Sequence, residues 1–332
     1  DRAAITASEL QSPKRYPLYG FSLALYSWKA SILIKKTNAD IYHYRAGYGR
    51  GSVVDAKHKG MITICDHSLV HPRVLDYLIE NGGQLPALDF LPPITKFWED
   101  VEADINQADY VIVNSDFVKE TFLNRGWTAN RVFVAYTGLD DALVNKKPVR
   151  ALSVGDADFI RFQFAGEGCP RKGLPDLLRA FKEIDDLPWH LTIVGNVNQC
   201  VLDEFGQFLK DSRINLIPFC SRIELLNKMG EADVFIFPSL AEGSARVTYM
   251  AMAMGCFIIT TKNSGSVVKK INGEIVEPGN VDSLRDAIRN IFSYKEKLKD
   301  VGKINAATIL NQYTQSAYGK RIVDIYEQII SK

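Results

Sequence analysis

The stretch FPSLAEGSARVTYMAMAMGCFIIT, residues 237–260, holds the densest candidate chemistry in the chain. An apolar run suited to a buried strand ends at Pro238-Ser239, a short loop carries Glu242-Gly243, and a helical pattern begins near Ser244. N–H groups at a helix start lack partners within the helix and sit at the positive end of its dipole, so this loop suits a diphosphate. Glu242 could accept hydrogen bonds from the hydroxyls of a sugar attached to that diphosphate; it could equally cap the helix behind it. Upstream, FAGEGCPRKGLPDLLRAF (164–181) passes from a strand pattern through a glycine-containing loop with Arg171 and Lys172 into an amphipathic helix. Fixed cations there suit a departing diphosphate, whose growing negative charge they stabilise without reorganising.

These loops need a scaffold, and the sequence supplies one. From about residue 40, short β-branched runs alternate with helical patterns, the mark of βα units feeding parallel sheets. Strands are predicted at 41–45, 61–67, 110–115 and 132–138, with helices near 19–36, 50–59, 71–80, 95–107 and 116–125. Ser68 and Ser115 are placed to cap two of these helices. NKKPVRALSVGDAD (145–158) breaks the pattern and reads as a linker. A second series follows, with strands at 159–166, 190–196, 214–219, 233–239, 256–262 and 273–278 and helices near 173–184, 200–211, 221–230, 244–254 and 281–293. The expected organisation is a first domain over 1–147, a second over 148–314, and a strap helix over 315–332 carrying Tyr318, Ile322, Ile325, Tyr326, Ile329 and Ile330 at helical spacing. Two doubly wound halves would leave a cleft between them, with ligands at the carboxyl ends of the strands.

Composition narrows the function classes. With 332 residues, 46% of them hydrophobic and 24% charged, the chain is globular rather than disordered. No apolar run is long enough to span a bilayer and the start lacks a signal-peptide core, so a cytosolic location is expected. Cys65, Cys169, Cys200, Cys220 and Cys256 are scattered without metal-ligand spacing, so reduced thiols are expected and neither a metal site nor a disulfide framework is. A net charge of +1 implies no field that would draw nucleic acid. Residues 1–60 nevertheless carry a basic surplus of six and residues 61–147 an acidic surplus of six. The basic surplus is either a solvated helix face or a contact with anionic lipid headgroups at the inner face of the membrane, or with a phosphorylated acceptor.

The motifs taken in order resemble the retaining glycosyltransferases of family 4, also described as group 1. The resemblance rests on RKGLPDLLRAF (171–181), ADVFIFPSLAEGSARVTYMAMAMGCFIITT (232–261), NSGS (263–266), IVEPGNVDSLRDAI (275–288), ADYVIVNSDFVKETFLNRG (108–126) and VFVAYTGLD (132–140). It implies the α/β GT-B fold of two facing Rossmann-like domains, and metal-independent transfer of a hexose-type sugar from a UDP- or GDP-linked donor to a hydroxyl of a glycan or lipid-linked acceptor, as in polysaccharide biosynthesis. It also implies retention of configuration by front-face transfer, with no cofactor beyond the nucleotide sugar. By the same resemblance Lys172, with Arg171, would hold the diphosphate, joined by the backbone amides of Gly243, Ser244 and Ala245; Glu242 would contact the donor sugar, and His67 would sit beside it. His71, Arg45, Tyr48 and Arg50 are candidates for the acceptor side.

Three departures from the family pattern stand out. Met250 occupies the position of a glutamate expected to bind the ribose, and Glu167 that of an arginine expected to aid the phosphate lysine, with Arg171 next to that lysine able to replace its charge. The first strand and glycine-rich loop of the family are not visible before residue 19; either the chain is truncated or Arg45-Ala46-Gly47-Tyr48-Gly49-Arg50-Gly51 does part of that loop's work. A second reading, motivated by Met250 and Glu167, is a catalytically weak sugar-nucleotide-binding subunit that supports an active partner.

Overall fold

The structure, a computed structural model, describes residues 16–144 and 159–331; the expected linker at 145–158 lies outside the described residues. By internal contacts the chain forms two units. The first comprises the described residues up to Asp76, Leu85–Ala135 and the end of the chain from Ile325, and the second Tyr77–Gln84 and Tyr136–Asp324.

The first unit is built on four parallel strands in sequential order, β1 (Ile41–Arg45), β2 (Ile62–His67), β3 (Tyr110–Val113) and β4 (Val132–Val134). Ile64, Cys65, Val111, Ile112 and Val113 are buried, as strands covered on both faces by crossover helices require. Ser115 caps the helix Asp116–Asn124 by accepting the Val118 N–H. The other expected cap is different: Ser68 Oγ accepts from Arg45, while His71 Nδ1 takes the Arg73 N–H at the start of a short 3-10 turn, Pro72–Val74. An imidazole lone pair three residues later does what the serine was expected to do.

The helix Tyr16–Lys36 buries Leu23, Ser27 and Ile34. On another face it exposes Phe21, Leu25, Trp28 and Ile32, a stripe at helical spacing. Among the described residues no helix is long and apolar enough to cross a membrane.

The second unit has six parallel strands, β5 (Ile160–Ala165), β6 (Trp189–Val194), β7 (Ile214–Ile217), β8 (Val234–Phe237), β9 (Phe257–Thr261) and β10 (Gly273–Val276), in the order β10-β9-β8-β5-β6-β7. The chain winds outward from β5 to β7, then returns to β8 on the other side of β5. β5 and β8 are therefore hydrogen-bonded neighbours, with Phe162 opposite Val234 and Gln163 opposite Phe235. Their junction is the topological switch point, where the loops leaving adjacent strands diverge and open a crevice. The amphipathic helices Leu174–Lys182 and Val281–Ser293 supply Leu177, Leu178, Phe181, Leu284, Ile288 and Ile291 to the core over this sheet.

Several elements depart from expectation: the strand expected over 132–138 is only Val132–Val134, and a short helix, Asp141–Val144, follows it unforeseen. The helix Leu298–Gln312 was not anticipated because its buried stripe includes Gly302 and Asn305, which erase the apolar signal; Asn305 Nδ2 donates to the carbonyls of Cys256 and Asn272. The segment expected as one helix over 200–211 divides into Gln199–Phe205 and a 3-10 turn, Phe208–Lys210.

Candidate functional site

The loops leaving β5 and β8 are clasped together. Ser239 Oγ and the Leu240 N–H both donate to the Arg171 carbonyl at 2.9 Å, and the Arg171 guanidinium returns a bond to the Ala241 carbonyl at 3.1 Å. The approach is close enough to require glycine: Gly173 has φ 74°, and a Cβ there would stand 2.1 Å from the Pro238 carbonyl oxygen. Cys169 precedes a single 3-10 turn, Pro170–Lys172, that delivers Arg171 and Lys172 to the end of the sheet.

Both cations meet Glu242. Arg171 Nη1 donates to Glu242 Oε1 at 2.7 Å, Lys172 Nζ pairs with the same oxygen, and Ser239 Oγ reaches it at 3.4 Å. Lys172 Nζ also lies 5.4 Å from the centre of the Phe237 ring. The carboxylate is mostly buried, its side chain 12% exposed. Its backbone is fixed as well: the Glu242 N–H donates to the Asn263 carbonyl at 3.0 Å, and Asn263 Nδ2 donates to the carbonyls of Leu240 and Gly83. Capping is thus not what Glu242 does; its charge is spent on two cations, and the helix, Arg246–Ala253, begins after Ala245 without a side-chain cap.

The amide cradle expected over 243–245 is smaller than foreseen. Ala245 gives its N–H to the Ser264 carbonyl at 2.9 Å, which removes it from the diphosphate donors, while Ser244 Oγ pairs with Tyr249 Oη at 2.8 Å. Met250 is buried in the main apolar cluster of the second unit.

In the first unit, the glycine run cannot do the work of a phosphate loop. The N–H groups of Gly47 and Gly49 donate to Oδ2 of Asp104 at 2.7 and 3.0 Å, and that of Arg50 to Oδ1 at 2.5 Å. An internal carboxylate, 1% exposed, fills the place an anion would take. Burial pushes its pKa up more than these three bonds pull it down. Arg50, in the left-handed region at φ 45°, also pairs with Asp100 at 3.6 Å; Tyr48 packs edge-on against Tyr26; Arg45 is exposed and donates to Ser68 Oγ.

His67 and His71 are both buried and flank Phe122. His67 Nε2 lies 3.1 Å from the Val70 carbonyl, which can only accept, so Nε2 carries the proton. His71 Nδ1 accepts the Arg73 N–H and so has the same tautomer. Burial brings the His67 pKa down to about 4 and that of His71 to about 3, so both are neutral near pH 7.

Arg171, Lys172 and Glu242 are therefore brought together, whereas Met250 and the Ala245 N–H are engaged elsewhere. Sequence reasoning missed the roles of Ser239, Asn263 and Asp104. Asp104 had left a trace: it shares the buried face of helix Lys96–Asn106 with Trp98, Val101 and Ile105, where a lone charge needs a partner.

This geometry can be set beside known proteins. Residues 160–293 match the family model of the group 1 glycosyl transferases. The match takes in β5 to β10 and with them the loops of Arg171, Lys172 and Glu242. Among curated relatives, the capsular polysaccharide biosynthesis glycosyltransferase CapM of Staphylococcus aureus is 21% identical, with 70% of this chain and 62% of CapM covered. The putative glycosyltransferase YtcC of Bacillus subtilis is 24% identical, with 68% and 62% covered. The chain thus spans about 62% of the length of these relatives. Among solved structures, sucrose-phosphate synthase from Thermosynechococcus elongatus superposes with a TM-score of 0.72 at 19% identity, covering 98% of this chain and 80% of that one. Anabaena HepE in complex with UDP and glucose gives 0.65 at 17%, covering 90% and 81%. The fold is that of the GT-B glycosyltransferases: two Rossmann-like units of parallel strands and a C-terminal helix.

Proposed function

We propose that this chain is a retaining glycosyltransferase of family 4 that moves a sugar from a nucleoside diphosphate to a hydroxyl acceptor without a metal. The observation that carries the reading is the convergence of Arg171 and Lys172 on Glu242 at the switch point of a group 1-type domain. Two fixed cations hold the diphosphate and stabilise its charge as the glycosidic bond breaks; Glu242 orients the sugar hydroxyls; catalysis is then mostly positioning and electrostatics. With front-face transfer, the departing phosphate oxygen helps take the acceptor proton. His67 enters through the resemblance, and because its Nε2–H is committed to Val70 it would meet a donor hydroxyl through Nδ1, as an acceptor.

Complexes of HepE with UDP and glucose, and the name of CapM, support a UDP-linked donor and a polysaccharide or lipid-linked acceptor. The basic surplus of residues 1–60, together with the exposed stripe Phe21, Leu25, Trp28 and Ile32 beside Lys29 and Lys36, supports a cytoplasmic enzyme peripheral to an anionic membrane face. The test is a thermal-shift screen of UDP-, GDP- and ADP-sugars, where a ligand at 100 times its Kd adds about 2.7 kcal/mol, followed by an assay for slow donor hydrolysis without acceptor. Stabilisation by no nucleotide sugar would overturn the reading.

A further inference from the structure

We infer that Glu242 acts as a built-in anion that holds the diphosphate cations until a sugar-bearing donor displaces it, so that the site discriminates against free nucleoside diphosphate. The inference rests on the phosphate role proposed above for Arg171 and Lys172 and adds a competition that role does not contain. One carboxylate oxygen receives Arg171 Nη1 and Lys172 Nζ together. An incoming diphosphate needs the same donors and carries the same sign, so it cannot bind them without breaking these pairs.

The surroundings allow that exchange by side-chain rotation alone. The Glu242 backbone is pinned to Asn263, and the Arg171 backbone to Ser239 and Leu240, so neither loop has to move. Once turned off the cations, the carboxylate is buried and needs new donors, since an unpaired buried charge is costly. Sugar hydroxyls are such donors; a free nucleoside diphosphate brings none to that position. The donor therefore satisfies Glu242 with its sugar while taking the cations with its phosphates, whereas the product after transfer leaves Glu242 unpaired and is driven out as the clamp closes again.

The test uses the full chain and its Glu242→Gln and Lys172→Ala variants, with inorganic pyrophosphate, UDP and UDP-glucose as calorimetric probes and a melting curve for each variant. Glu242→Gln keeps the shape but weakens the competing bonds, so pyrophosphate and UDP should bind about tenfold or more tighter than to the wild type. The advantage of UDP-glucose over UDP should shrink in the same variant. Glu242→Gln binding pyrophosphate and UDP no tighter than the wild type, while Lys172→Ala loses them, would overturn the clamp and leave the phosphate site standing. Pyrophosphate bound equally by wild type and Lys172→Ala, or by neither of them nor by Glu242→Gln, would remove the phosphate site and the clamp together.

Discussion

Replacing Met250 with glutamate introduces the residue type that the resemblance expects there, and the structure forecasts damage rather than gain. Met250 is 9% exposed within the apolar cluster of the second unit. A carboxylate at such a place has its pKa raised by desolvation; a rise of about 2 to 3 units costs roughly 3–4 kcal/mol at neutral pH. For a unit of this size, 1 kcal/mol moves the melting temperature by about 2–4 °C, so Met250→Glu should lower it by roughly 6–16 °C. Because the folded pKa is raised, the penalty is smallest below the unfolded value and grows as pH rises through the folded one. The deficit against wild type should thus narrow when melting is followed from pH 7 down to pH 5. Met250→Leu, which keeps volume and polarity, should cost less than about 1.5 kcal/mol. Unchanged melting of Met250→Glu together with tighter donor binding would refute the reasoning and put residue 250 against the nucleotide.

Gly173→Ala should lower both melting temperature and pyrophosphate affinity, because its Cβ would collide with the Pro238 carbonyl and push Lys172 out of place; wild-type affinity in a titration would show that the clasp is dispensable. His71 takes up its proton in the unfolded chain near pH 6.5 but in the folded chain only near pH 3, so the stability it contributes is complete above pH 6.5 and is lost as pH falls toward 3. His71→Asn, which can keep the bond from Arg73, should flatten the dependence of melting temperature on pH between 6.5 and 4, and an unaltered slope would count against the assignment. In vesicle sedimentation, binding should be stronger to anionic than to neutral lipid, weaken with salt, and fall in Trp28→Asp; equal partition to both lipids would reduce the basic surplus to a solvated face.

Where local chemistry and periodicity agreed, the sequence was readable. The ten strands of the described residues were visible because runs such as Val234–Phe237, continuously apolar, and Phe257–Thr261, mostly β-branched, are bounded by turn residues. That the loops of Arg171, Lys172 and Glu242 belong to one site was expected from their spacing and order; that Glu242 pairs with both cations was not. What was not legible depends on through-space partners. Nothing local says that Gly47 and Gly49 spend their N–H groups on Asp104, more than fifty residues away. Nor does the helical pattern after Ser244 reveal that the Ala245 N–H goes to Ser264. The helix Leu298–Gln312 was hidden because its contacts use a glycine and a hydrogen-bonded asparagine instead of an apolar stripe.

Under the function proposed above, the buried thioether at position 250 bears on which nucleotides the chain would tell apart. A carboxylate there would count sugar hydroxyls, and a nucleotide lacking the 2′ oxygen would leave it unpaired and be rejected. Met250 lies among apolar neighbours and carries no carboxylate, so under that function the 2′ oxygen would go unread at that position. On the same proposal, ribonucleotide and deoxyribonucleotide donors, thymidine-linked sugars among them, would then be equivalent as far as residue 250 is concerned, leaving donor selectivity to the sugar end, where Glu242 is proposed to act.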